Sequence, residues 1–215
     1  MMPMKKVLLT GFEPFNHEPI NPSWEVAKVV AEQSENVVAV QLPCAFDRAL
    51  TELFANIEAI QPDVVICIGQ AGGVANLQIE RVAINLNDAT IPDNAGQQPI
   101  DTAVVPNAPN AYFATLPCKA IVQALKTAGI PAALSLSAGS YVCNHTMFGL
   151  LDYLAKNAPN CRGGFIHIPF LLEQGVRHRN APTMALDTLV QGIQIAIQTT
   201  LTKETDLHIA DGAIY

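Results

Sequence analysis

Short apolar runs alternate along this chain with longer stretches whose apolar residues recur every three or four positions, and that alternation restricts the fold more than any other feature. Residues 5–10 read as a buried strand and 63–69 as an apolar strand core, 37–42, 132–136 and 163–168 read as strands, and a further one is expected over 82–86. Between them, Asn21 followed by Pro22 marks a helix start, an N-cap with proline at the first helical position, and the helix runs to about Gln33. Leu50, Leu53, Phe54, Ile57 and Ile60 place a second helix over 46–60, and helical patterns recur over 116–128, 141–157 and 182–202. Strand and helix in turn predict an α/β fold: a three-layer α/β/α sandwich on a twisted, mostly parallel central sheet, with functional groups gathered at the strand carboxyl ends. No linker divides the 215 residues, so residues 1–215 are expected to form a single domain. A Pro-, Gly-, Asn- and Asp-rich stretch over 87–110 has no period of its own and is a candidate active-site loop.

Composition narrows the class of partner. Half the residues are hydrophobic and 14% are charged, which excludes disorder, and no apolar run approaches the ~20 residues of a membrane span. The apolar run after Lys6 is too short for a signal peptide and lacks a small-residue cleavage site, so a cytoplasmic location is expected. A net charge of −7 without a Lys/Arg cluster argues against nucleic acid. The five cysteines, Cys44, Cys67, Cys118, Cys143 and Cys161, are widely spaced, with neither a Cys-x-x-Cys pair nor zinc-finger spacing. Disulfides and structural zinc are therefore not expected.

Chemistry is expected where strands end: residues 11–16, 69–73, 137–143 and 167–170. Cys143 follows the break Ser137-Ala138-Gly139-Ser140 and opens a helix, whose free N–H groups and dipole favour a thiolate and offer donors to an oxyanion. His167 near the end of its strand is placed to take the thiol proton and return it to a leaving amine, a pattern for acyl transfer. The same positions suit a small buried helix residue and a hydrogen-bonded strand-end histidine, and position alone does not separate the two. Cys118, in the first turn of a helix after Pro117, competes on dipole grounds; His145, two residues beyond Cys143, points elsewhere; His17, His178 and His208 read as solvated. Glu80 enters an apolar segment where an acid needs a partner, whether as a salt bridge or as the group that orients a histidine. Gly69-Gln70-Ala71-Gly72-Gly73 is neither a Walker sequence nor a dinucleotide fingerprint, so its phosphate signal is weak. Phe12 and Phe15 either wall a small apolar pocket or pack beneath their loop.

Seven segments in order resemble the pyroglutamyl peptidase type I, or pyrrolidone carboxyl peptidase, family. They are Thr10-Gly11-Phe12-Glu13-Pro14-Phe15, Asn21-Pro22-Ser23-Trp24-Glu25, Gly69-Gln70-Ala71-Gly72-Gly73, Glu80-Arg81-Val82-Ala83-Ile84-Asn85, Ile91-Pro92-Asp93-Asn94, Val142-Cys143-Asn144-His145 and Phe165-Ile166-His167-Ile168-Pro169. The resemblance implies a cysteine peptidase that removes an N-terminal pyroglutamyl residue from peptides, with Cys143 as nucleophile, His167 as acid/base and Glu80 orienting it. It further implies a substrate site with Phe12, Phe15 and Tyr141 as ring walls and Asn21 and Gln70 as polar contacts, and a cytoplasmic homotetramer without metal or cofactor. Tyr141 stands where phenylalanine is more usual. Thr90 and Val74 occupy positions that usually carry arginine; loss of a transition-state donor at the first would lower kcat by about 10- to 1,000-fold. That departure leaves a second reading, a catalytically impaired pyroglutamyl-binding homologue.

Overall fold

The computed structural model describes residues 4–213. Its elements are β1 (Val7–Phe12), α1 (Pro22–Glu32), β2 (Val37–Leu42), α2 (Arg48–Ile60), β3 (Val64–Gln70), β4 (Leu77–Glu80), β5 (Val82–Ile84), β6 (Ala111–Phe113), α3 (Cys118–Thr127), β7 (Ala132–Ser135), α4 (Val142–Asn157), β8 (Arg162–Ile168), β9 (Phe170–Leu171), a 3-10 turn over Leu172–Val176, β10 (Thr183–Met184) and α5 (Leu186–Thr202). The central sheet has the order β2-β1-β3-β8-β4-β7. Asn21 caps α1 as its sequence predicts, its side chain accepting from Ser23 N with Pro22 at the first position.

The sheet is mostly parallel, and its exception matters most for the site. β4 runs antiparallel to β8 with Gln78 opposite His167, and β7 follows β4 in parallel. The carboxyl end of β7 therefore points away from the edge where β1, β3 and β8 end, contrary to the expectation that all the strand ends gather together. Residues 136–141 bring the chain back: the Tyr141 hydroxyl donates to Pro92 O and its ring lies 6.2 Å from Phe15, just beyond β1. The strand expected over 82–86 is β5, which pairs with β6 outside the main sheet.

Alternation along β8 sets the layers, because successive residues face opposite sides. Leu150 and Leu154 of α4 cover Gly163, and Leu116 covers Gly164 from the other side. α4 packs with α2 on one face, while α5 lies between α1 and α3 on the other. α4 thus descends along β8 from Cys143 at the carboxyl edge to Leu154 at the start of the strand, above the odd-numbered residues Gly163, Phe165 and His167.

The C-terminal tail closes a gap that α3 cannot close itself. Pro117 at its N-cap has no side-chain acceptor, and the Asp206 carboxylate instead accepts from Lys119 N (3.1 Å) and Ala120 N (2.9 Å). Asp206→Ala is expected to lower the unfolding free energy by about 1 kcal/mol, the usual cost of a lost N-cap acceptor, read from urea denaturation. An unchanged midpoint would mean that the tail does not cap this helix.

Candidate active site

Cys143, His167 and Glu80 converge because three elements meet at one sheet edge. His167 and Gly69 are register partners across β8 and β3, and the Cys143 sulfur sits over Gly69, so close that a Cβ there would lie 2.9 Å from Sγ and 2.7 Å from the Phe165 ring. Only glycine at position 69 lets the start of α4 approach. Phe165, two residues before His167 on the same face, supports the imidazole with ring centroids 4.8 Å apart.

Glu80 reaches the histidine through the antiparallel strand. With Gln78 opposite His167, Glu80 is the diagonal neighbour on the same face, within the span of a glutamate side chain. Its Oε1 lies 2.7 Å from His167 Nδ1. An acceptor there assigns the ring proton to Nδ1 and leaves the Nε2 lone pair free. Glu80 is 0% exposed and His167 7%, and Glu80 Oε2 is buried without a hydrogen-bond partner among the described residues.

The resting thiol differs from its sequence-based expectation. Burial pushes the Cys143 thiol well above its ordinary range, with the neighbouring Cys44, the Glu80 carboxylate and Cys67 adding to the shift. A start of a helix is not enough to hold a preformed thiolate in these surroundings, and the site needs a base. The other four cysteines are buried, whereas Cys143 is half-buried. Burial raises Cys44, Cys67 and Cys118 to about 12 and Cys161 to about 11. Cys118 loses its claim for a further reason: the Asp206 carboxylate already occupies the start of α3.

The residues expected to hold a substrate divide by position. Phe15 and Tyr141 lie with ring centroids 6.2 Å apart and planes tilted by 37°, and Phe46 packs against Tyr141 in a T-shape at 5.3 Å. A cavity of about 500 Å³ opens against Phe15, lined also by Glu18, Ile91, Pro92 and Asn94; Tyr141, Cys143 and His167 are not part of its lining. Phe12, by contrast, is 2% exposed and packs on Phe165, so it supports the site from beneath. Asn21 is spent inside the protein: Oδ1 accepts from Ser23 N and Oγ, and Nδ2 donates to Glu13 O. Gln70 follows Gly69 in β3, so its side chain leaves the face opposite Cys143, where it accepts from Gln174 Nε2.

Several positions acquire roles that their local sequence did not suggest. Asn144 accepts from Ile84 N and donates to Ile84 O and Leu86 O, tying α4 to β5. His145 is buried, accepts from Asp47 N at Nε2 and meets Asn87 Oδ1 at Nδ1; burial depresses it to about 4, so it is a neutral strut. Asp93 accepts from the backbone of Phe46, Ala95 and Gln97, which gives the long 87–110 stretch a fixed shape. Gly72 is under the Phe170 ring, where a Cβ would come within 2.6 Å, so that glycine serves packing rather than a phosphate cradle. His178 is stacked on Phe170 at 4.2 Å and paired with Glu18, not merely solvated as its polar stretch suggested.

Known proteins resemble this chain over nearly its whole length. The family model described as pyroglutamyl peptidase matches residues 5–203. The pyrrolidone-carboxylate peptidase of Brevibacillus brevis is 50% identical over 98% of this chain and 100% of its own length. Pyrrolidone-carboxylate peptidase 1 of Photorhabdus laumondii is 52% identical over 97% of this chain and 99% of its own. The pyroglutamyl peptidase I structure from Bacillus amyloliquefaciens superposes with a TM-score of 0.93 at 45% identity, covering 96% of this chain and 99% of that one. Pyrrolidone carboxyl peptidase from Thermococcus litoralis gives 0.90 at 39% identity, covering 96% and 100%. With the family model matching nearly the whole chain and relatives about half identical over their full length, the chain belongs to the pyroglutamyl peptidase family.

Proposed function

We propose that the protein is a cysteine peptidase that hydrolyses the bond following an N-terminal pyroglutamyl residue, with Cys143 as nucleophile, His167 as acid/base and Glu80 as the residue that orients it. The observation that carries the reading is the 2.7 Å contact of Glu80 Oε1 with His167 Nδ1, which points the free Nε2 lone pair toward chemistry beside a half-buried thiol.

His167 Nε2 takes the Cys143 proton as sulfur attacks the carbonyl carbon that joins the lactam ring to the next residue. Backbone N–H groups at the start of α4 receive the oxyanion. Collapse breaks the C–N bond, and the imidazolium returns its proton to the departing amine. His167 then takes a proton from water, whose oxygen attacks the thioester, and thiol and free pyroglutamate are released. A thiol raised by burial makes proton transfer to His167 part of the attack, with no ion pair waiting beforehand.

A pyroglutamyl residue is a neutral lactam with no ammonium, so its site needs apolar walls and few polar groups. Phe15 and Tyr141 are the wall residues in this reading, with Phe12 supporting them from the core; Asn21 acts by holding the backbone at Glu13, and Gln70 by accepting from the Gln174 side chain. The binding-only alternative loses ground because relatives about half identical over nearly their full length are named peptidases, and Thr90, its main support, is an exposed loop residue.

Residues 1–215 act as one catalytic domain in this reading, supported by one continuous hydrophobic core cluster. Five free thiols suit a reducing, cytoplasmic compartment, and no helix among the described residues is long and apolar enough to cross a membrane. Exposed Ile84 and Phe113, on the paired β5 and β6, support a subunit contact of the homotetramer, and a monomer mass by sedimentation would rule that contact out. Release of a fluorescent amine from a pyroglutamyl amide, but not from the corresponding glutamyl amide, tests the activity. Failure to release it in reducing buffer would end the peptidase reading.

A further inference from the structure

The loop that carries Phe15 turns through two left-handed residues in succession. Asn16 and His17 both have left-handed backbones, with φ of 52° and 61°. Asn and His enter that region more readily than most residues, and two in succession still take their shape from surrounding contacts. Glu18, the next residue, supplies those contacts. Its Oε1 pairs with His178 Nε2 at 2.7 Å, and its Oε2 accepts from Gln174 Nε2 at 3.2 Å. Burial works against the Glu18 carboxylate, yet the bonds from Gln174 and His178 and the charges of His178 and Arg177 hold it below the usual carboxylate range.

Gln174 is the centre of this cluster and is 2% exposed. Its Oε1 accepts from Leu171 N at 3.0 Å, which fixes the orientation of the amide. Its Nε2 therefore donates, to Glu18 Oε2 and, at 2.9 Å, to Gln70 Oε1 at the end of β3. One buried amide thus links the Phe15 loop to the central sheet. His178 is steadied in turn by its stack on Phe170.

We infer that Gln174 is a positioning residue for substrate binding: acting through Glu18, it holds the Phe15 loop so that Phe15 and Tyr141 form one wall of the pyroglutamyl pocket. The inference rests on the peptidase reading above and adds to it the second layer that the pocket depends on. Gln174 touches neither the thiol nor the imidazole, so its loss acts on binding rather than on the chemical step.

Steady-state kinetics on a pyroglutamyl amide tests this, with enzyme concentration normalised to reactive Cys143. Gln174→Ala is expected to raise KM about tenfold, the scale of losing hydrogen bonds to a charged partner, while kcat changes less than about threefold. Gln174→Glu keeps an acceptor for Leu171 N–H but sets a second carboxylate against Glu18, so KM rises further. Adding Glu18→Gln to that variant restores a donor–acceptor pair and is expected to recover most of the loss. A Gln174→Ala enzyme with unchanged KM, or a double variant no better than Gln174→Glu alone, would overturn the inference while leaving the peptidase reading intact. An inactive wild type would overturn both.

Discussion

Cys143→Ser is expected to abolish turnover of a pyroglutamyl amide, by at least about 10⁴-fold, the scale on which catalytic triads fail when a member is removed. Serine differs from cysteine by one atom and is smaller, so the packing of α4 over Gly69 survives the change. What changes is the nucleophile. Burial already pushes the thiol well above its ordinary range, and His167 must take its proton during attack. An alcohol is a far weaker acid still, and the same imidazole cannot bring it into play in a site built for sulfur. Retained turnover at a tenth of wild type would contradict the assignment and direct attention to another group.

The second large effect is expected from Glu80→Gln, which preserves shape and removes charge. Glu80 Oε1 accepts from His167 Nδ1–H, so Nε2 is the base. A glutamine in that buried position presents an amide N–H to Nδ1 in one of its two orientations, which moves the ring proton to Nε2 and leaves nothing to accept from Cys143. In the other orientation its N–H₂ replaces Oε2, which has no hydrogen-bond partner among the described residues, and the charge that stabilises the imidazolium is gone. Either way kcat is expected to fall by about 10²- to 10⁴-fold, with KM changed little. Unchanged kcat would mean that Glu80 is only a structural partner of the histidine.

How far these residues are legible in sequence depends on whether their signal is local. The helix start at Asn21 and Pro22 is written in adjacent side chains, and β2 occupies the 37–42 run that its apolar pattern marks. Cys143 at the start of α4 is equally local. β4 is not: it is four residues long, lies between a glycine turn and Arg81, and exists because β8 and β7 offer it partners on both sides. No pattern within residues 77–80 indicates that it runs antiparallel. Yet that direction is what sets Glu80 diagonal to His167, so the triad's geometry rests on an element whose signal is distant in sequence.

The charge state of Cys143 escaped for a related reason. A dipole argument needs only the start of a helix, whereas the shift depends on burial by the packed fold and on Cys44, Glu80 and Cys67 arriving from elsewhere in the chain. Long-range partners likewise decided Gln70 and His178, which find Gln174 and Glu18 far away along the chain. Asn21 is the opposite case. Its capping signal lies in adjacent residues, and satisfying Ser23 and Glu13 leaves its amide engaged within the protein.

The central claim is that Cys143 carries the pyroglutamyl group through a covalent intermediate. Acid quenching during turnover of a pyroglutamyl ester, followed by mass spectrometry of the digested protein, tests it directly. The account predicts a pyroglutamyl adduct on the peptide containing Cys143, absent from the Cys143→Ser enzyme and from the peptides containing Cys44, Cys67, Cys118 and Cys161. An adduct on one of those other cysteines, or full turnover with no adduct on Cys143 even when deacylation is slowed, would contradict it.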